Sequence, residues 1–312
     1  MPAVSETMAY WLLRAVQQTP FRGNHNLFAN APAKGAPQAA FSQAELEARN
    51  CEEFLGFLGE QLPSLDGRVA LDLGSGYGGK TVAMARALNP KRMIGIEPFA
   101  NMVEKARRYA AAVGAESCEF HVCDERQIPL ADCELDVILS HDVIEHVTDP
   151  EATIAEMHRT LKSGGIAYIV FTPYWGALAH HLGYVTRLPF IHWLFSPRTL
   201  VAAVNRLITA EGNGFGTARQ PDPKCGFDGR FEVLPTLNGL GSDAFMKLAQ
   251  RHGFEVVHSR YPSIAHRYLP RSRVLNALND GAMRLHPLLR EALSFNFVCI
   301  LRKPPDASDP RQ

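Results

Sequence analysis

The stretch Val69-Ala70-Leu71-Asp72-Leu73-Gly74-Ser75-Gly76-Tyr77-Gly78-Gly79 runs from an apolar strand into a turn carrying four glycines. Lys80-Thr81-Val82-Ala83-Met84-Ala85-Arg86 continues it as a helix. Glycine lets such a turn approach a ligand closely, and the free N–H groups of the helix's first turn offer donors to it. Gly74, Gly76 and Gly79 satisfy G-x-G-x-x-G, which predicts a nucleotide-like cofactor without saying which one.

Outward from this turn, strand and helix alternate between 68 and 174. Strands read at 68–73, 92–97, 118–123, 135–140 and 165–172, and helices at 79–88, 99–113 and 150–162. Short apolar strands between helices predict a parallel sheet covered on both faces. Upstream, 7–18 reads as a helix with Ala9, Leu12, Leu13 and Val16 on one stripe, followed by an Ala/Pro-rich linker at 29–40. Ser42-Gln43-Ala44-Glu45 has capping-box spacing and opens a helix carrying Leu46, Phe54, Phe57 and Leu58, which Pro63 ends. Downstream, 175–239 breaks the rhythm with aromatics, histidines, a helix near 197–209 and a Gly/Pro-rich loop at 212–229. A helix at 241–252, a strand at 254–261, a largely helical 267–293 and a strand at 295–301 follow. The expected organisation is therefore a lid and linker at 1–41, a cofactor-binding core at 42–174, a substrate cap at 175–239, a C-terminal completion of the core sheet at 240–303 and a disordered tail at 304–312.

The 312 residues balance 32 Lys+Arg against 32 Asp+Glu, so the average charge predicts neither a nucleic-acid nor an anionic-membrane partner. Six scattered cysteines, with no C-x-x-C pair, fit reduced thiols. The N-terminus lacks a basic start, Arg14 cuts short the apolar run Met8–Leu13, and no run is long enough for a bilayer, so a cytoplasmic enzyme is expected. The oligomeric state is not legible.

Acidic residues choose among cofactors. Asp72 ends its strand two positions before the first glycine, where a carboxylate repels a pyrophosphate and welcomes an ammonium. Glu97 ends the next strand and Asp124 the one after. With Leu71–Gly78, Ile94-Gly95-Ile96-Glu97, Asp124-Glu125, Ile128-Pro129-Leu130 and Leu135-Asp136-Val137-Ile138, the chain resembles the class I S-adenosylmethionine-dependent methyltransferases. Val143-Ile144-Glu145-His146-Val147 and Leu161-Lys162-Ser163-Gly164-Gly165 resemble their small-molecule branch, which includes quinone-biosynthesis enzymes. The resemblance covers about 66–174, with the final helix and two strands agreeing.

That resemblance implies an α/β, Rossmann-like fold: a seven-stranded, mostly parallel sheet of order 3-2-1-4-5-7-6 with helices on both faces. It also implies a cofactor, S-adenosyl-L-methionine, that leaves as S-adenosyl-L-homocysteine. Asp72 would face the methionine ammonium, directly or through water. Gly74, Ser75, Gly76 and Tyr77 would line the methionine and ribose, and Glu97 would chelate the ribose hydroxyls. Pro98, Phe99 and Met102 would wall the adenine, which Asp124 and the Glu125 N–H would bond, with Ser140 at the end of the fourth strand.

Methyl transfer to a small-molecule acceptor, with secondary metabolism as the setting, is the activity implied. The alternatives are attack at another carbon of the sulfonium (aminocarboxypropyl transfer, or cyclisation to azetidine-2-carboxylate with release of methylthioadenosine), a non-catalytic cofactor-binding protein, and an NAD oxidoreductase. Alignment supplies much of the rate, and a base is needed only for a protonated acceptor. His141 is the candidate base, with Tyr174 as a second polar group. Tyr10, Trp11, Trp175 and His180 are the candidate acceptor contacts, and Tyr10, Trp11, Tyr77 or Trp175 would suit a sulfonium, each by about 0.5–2 kcal/mol. His141-Asp142 and Glu145-His146 match no metal motif, so no metal is expected.

Overall fold

A computed structural model describes residues 2–23, 41–124, 126–183, 185–211, 238–268 and 271–305. The notable stretches outside them are 24–40, which includes the linker at 29–40, the whole Gly/Pro-rich loop at 212–229, Glu125 and the tail from 306. The chain divides into two compact units. The larger holds Pro32–Phe171, Leu240–Pro262 and Asn296–Gln312, and the smaller holds Met1–Ala31, Thr172–Gly239 and Ser263–Phe295. Residues 263–295, expected with the completion of the core sheet, thus group with the N-terminal helix and the cap.

The larger unit is built on a sheet of order β3-β2-β1-β4-β5-β7-β6. Its strands are β1 (Val69–Leu73), β2 (Arg92–Glu97), β3 (Cys118–Val122), β4 (Leu135–His141), β5 (Leu161–Phe171), β6 (Glu255–Arg260) and β7 (Phe297–Arg302). The first five pair in parallel, while β7 runs antiparallel to both β5 and β6. The helices are α2 (Ser42–Leu58), α3 (Gly79–Leu88), α4 (Ala100–Ala112), α5 (Pro150–Thr160) and α8 (Ser242–Arg251). Alternation along β1 sends Leu71 and Leu73 into one core with Ile138 and Phe171. It sends Ala70 to the other face, with Phe54, Met84 and Leu139. Asp72 shares that second face.

Two local expectations shift. α2 begins at Ser42, so the cap position falls on Phe41, one residue before the expected Ser42, and carries no side-chain cap bond. α5 stops at Thr160 because Leu161 takes an extended backbone, buries its side chain completely and pairs with Leu135. The register slips between Leu135 and Val137, which lets β5 start four residues earlier than its apolar run.

In the smaller unit, α1 (Pro2–Val16) packs against α7 (Pro197–Glu211). Ala9, Leu13 and Val204 are buried there with Leu182, Ile191 and Leu200. The chain after α1 is tied to 185–187 by the amides of Gly23 and Arg187, which donate to the carbonyls of Val185 and Phe21. Gln17 Nε2 adds bonds to the carbonyls of Leu13 and Val185, both at 3.0 Å. The unit also holds α6 (Ile191–Leu194), α9 (Ile264–Tyr268), α10 (Arg273–Leu285) and α11 (Pro287–Ala292). Among the described residues no helix is long and apolar enough to cross a membrane.

Candidate functional site

The glycine turn lies between β1 and α3. The amides of Gly74 and Ser75 donate to the Ile96 carbonyl at 3.0 and 2.9 Å, which pins the turn to the end of β2. Gly74 has φ +80, and a Cβ there would fall 2.3 Å from Val143 Cγ2, so the second residue after β4 closes on it. At Gly79 a Cβ would stand 1.7 Å from the Ala44 carbonyl oxygen, because α2 and α3 touch backbone to backbone.

Three carboxylates surround this turn. Glu97 Oε2 accepts the Gly76 amide at 3.1 Å, so the second acidic residue is tied directly to the glycine loop. Asp72 is buried and takes the Thr81 hydroxyl at 2.5 Å on Oδ2. Burial pushes the Asp72 carboxyl above its ordinary range, opposed by the Thr81 bond and the nearby Lys80 ammonium. The third carboxylate comes from α2. Glu47 accepts from the amides of Tyr77 and Gly79, both at 3.0 Å. The residue is half-buried, yet its carboxyl sits deep enough that desolvation outweighs those bonds and lifts it to about 7.

Glu47 escaped the sequence reading, although Ala44, Glu47, Cys51, Phe54 and Leu58 follow one helical stripe whose other four members are buried. A charge on a buried stripe was the available signal. Thr81 and Lys80 were missed as well, being ordinary first-turn helix residues by type.

Lys80 Nζ reaches Nδ1 of His141 at 3.2 Å and the His141 carbonyl at 3.2 Å. Since an ammonium only donates, Nδ1 accepts, and Nε2–H points to Asp142 Oδ2 at 3.3 Å. The ring stacks on Phe54 at 4.9 Å, and burial drops its pKa to about 4. His141 is thus neutral at ordinary pH, with a partner on each ring nitrogen.

The other candidates divide by unit. Phe99 caps α4 and is 43% exposed, Met102 lies in its first turn, and Pro98 is exposed before it. Asp124 follows β3 and is chelated by Arg126, which holds its carboxyl down at about 2. Ser140 pairs with Leu73 across β1 and β4. In the smaller unit Tyr10 is buried under the Arg206 guanidinium, 4.2 Å from the ring centre, and the exposed Trp11 carries Arg14 at 5.1 Å. The Tyr77 ring in the larger unit carries Lys105 Nζ at 5.1 Å. Tyr174 packs edge-on to Trp175 and His192, and its carbonyl accepts from His192 Nε2 at 3.0 Å. His180 is buried, donating to the Leu188 carbonyl at 3.1 Å and accepting the Leu182 amide at 3.0 Å. Desolvation lowers it to about 3.

These groups fit S-adenosylmethionine. The hydroxyls of Ser75 and Ser140, at the ends of β1 and β4, are buried without a hydrogen-bond partner, and such groups call for one. The buried Asp72 gains from a nearby cation. A pyrophosphate would meet Glu47 already seated on the amides it needs.

The sheet order, with this turn at the carboxyl ends of β1 and β2, defines the class I, Rossmann-like methyltransferase fold. Residues 71–169, all within the larger unit, match the family described as a methyltransferase domain, and this core is that of a class I S-adenosylmethionine-dependent methyltransferase. A dimethylglycine N-methyltransferase of Parasynechococcus marenigrum is 36% identical over 117 residues, 37% of this chain and 40% of the relative. A 37.1 kDa protein in a Streptomyces fradiae transposon is 36% identical over 120 residues, 38% of this chain and 34% of the relative. The matched segments thus span well under two thirds of either relative. A geranyl diphosphate methyltransferase solved with its cofactor superposes with a TM-score of 0.50 at 14% identity, over 91% of this chain and 97% of that one, which shows the shared fold.

Proposed function

We propose that this chain transfers the methyl group of S-adenosylmethionine to a small-molecule acceptor. The observation that carries the reading is the acidic lining of the glycine turn: Glu97 on the Gly76 amide, Glu47 on those of Tyr77 and Gly79, and Asp72 buried beneath. That lining disfavours phosphate and suits a cofactor that carries a sulfonium and an ammonium. The bound cofactor supplies an activated methyl group.

In this reading Asp72 offsets the ammonium charge, Glu97 holds the ribose hydroxyls, Ser75 and Ser140 gain partners, and Phe99 and Met102 flank the adenine opposite Asp124. His141 serves as a positioning residue: its Nδ1 fixes Lys80, the counter-charge to Asp72 and Glu47. The acceptor is drawn from the chemistry of Tyr174, Trp175 and Trp11, aromatic and apolar, and alignment rather than proton removal supplies the rate. Secondary metabolism is the setting such an acceptor suits.

The test is incubation of the protein with methyl-labelled S-adenosylmethionine and a panel of small acceptors. Labelled acceptor with S-adenosylhomocysteine is the expected result. Methylthioadenosine as product would move the reading to attack at another carbon, and binding without any turnover would leave a cofactor-binding protein.

A further inference from the structure

The formal charge of zero conceals a division. The smaller unit holds thirteen Lys and Arg against seven Asp and Glu, a surplus of six, and the larger unit carries the matching deficit. Exposed apolar side chains divide the same way. Among the described residues, twelve of the fifteen large hydrophobics at the surface belong to the smaller unit.

They concentrate on α10 and α11. Val274, Leu278 and Leu285 recur at helical spacing on one stripe of α10 and are 70%, 65% and 78% exposed. No residue of this helix is buried. Its packed side is polar instead: Asn279 Nδ2 donates to Ser263 Oγ at 2.8 Å, and Ser272 caps the first turn. Leu288 and Leu289 continue the apolar surface onto α11. Arg273 and Arg284, both exposed, flank the stripe on one side, and Arg271 precedes it. Asp280, the acid of α10, is engaged by His266 Nε2 at 3.0 Å.

We propose that this α10–α11 face docks on an anionic lipid bilayer, with Val274, Leu278 and Leu285 entering the interface and Arg273 and Arg284 meeting lipid phosphates. An amphipathic helix of 13 residues is about 20 Å long, too short to span a bilayer, and lies in its plane. Charge complementarity selects this occupant. A second copy seated face to face would set the same arginines against each other, and nucleic acid would leave the leucines in water. The inference does not depend on the methyl-transfer reading.

Flotation of the full chain with phosphatidylcholine vesicles, with and without phosphatidylglycerol, tests it. Flotation only with the anionic vesicles, weakened by salt, is expected. The double variant Leu278→Asp/Leu285→Asp should lower it roughly tenfold or more, while Val257→Asp, an exposed apolar position on β6, should leave it unchanged. Circular dichroism and S-adenosylhomocysteine binding check that both variants remain folded. Equal flotation of the double variant and the parent, no preference for the anionic vesicles, or a dimer by light scattering that the double variant abolishes would each overturn the proposal.

Discussion

Glu47 on α2 spans both Tyr77 and Gly79, its two carboxylate oxygens each taking one amide at 3.0 Å. A residue from another helix thus fills the donor positions that a phosphate would use at the start of α3. Its carboxyl, lifted by burial to about 7, makes this contact sensitive to pH.

Glu47 binds its proton more tightly in the folded chain, at about 7, than at the ordinary value of 4.5. The folded state is therefore fully favoured below pH 4.5 and loses that advantage as pH rises through 7, by roughly 3 kcal/mol in all. Asp72, also raised, acts in the same direction. Urea unfolding from pH 5 to 8 should show falling stability, and Glu47→Gln should flatten the slope. An unchanged slope in the variant would place the titration elsewhere.

His141 at about 4 should contribute no inflection near neutrality to the pH–rate profile. His141→Asn retains an acceptor for Lys80 and should keep turnover within about threefold. A loss of about a hundredfold or more in a folded His141→Asn protein is what a general base would give, and would restore that role.

Glu97 touches the loop through Gly76 and, in the proposed function, also touches the ribose. Calorimetry with S-adenosylhomocysteine should show Glu97→Ala binding roughly tenfold to a hundredfold more weakly, in line with about 1.5–3 kcal/mol for hydrogen bonds to a charged group. Affinity equal to the parent would remove Glu97 from the site.

Two glycines should respond oppositely to alanine. Gly79→Ala would drive a methyl group into the Ala44 carbonyl, and denaturation should report a loss of about 3 kcal/mol or more. Gly56, within α2, has nothing near its missing Cβ, so Gly56→Ala should stabilise by about 0.5–1 kcal/mol.

α1 supplies core to its unit, so Leu13→Ala should cost about 2–5 kcal/mol, while the 53% exposed Trp11 should tolerate alanine within about 0.5 kcal/mol. A truncated chain beginning at Ser42 would expose Leu182, Val204 and their neighbours, and loss of activity in it would report unfolding of the smaller unit as much as loss of a lid.

The alternation of apolar strands and helices from 69 to 171, the glycine turn and the acids at 72, 97 and 124 were all legible in the sequence. Each is a short-range pattern whose physical cause lies within a few residues: pleat, helical period or turn chemistry. Only the tertiary structure decided that Glu47 reaches the turn from 30 residues upstream, that Lys80 and Asp142 occupy both nitrogens of His141, and that Tyr10 is buried beneath Arg206. It also decided that a chain of zero net charge is two units of opposite sign, with residues 263–295 on the basic side. The glycine turn opened as a generic nucleotide cradle; packing made it an acidic one, because which charges meet there depends on contacts between distant segments that no local periodicity records.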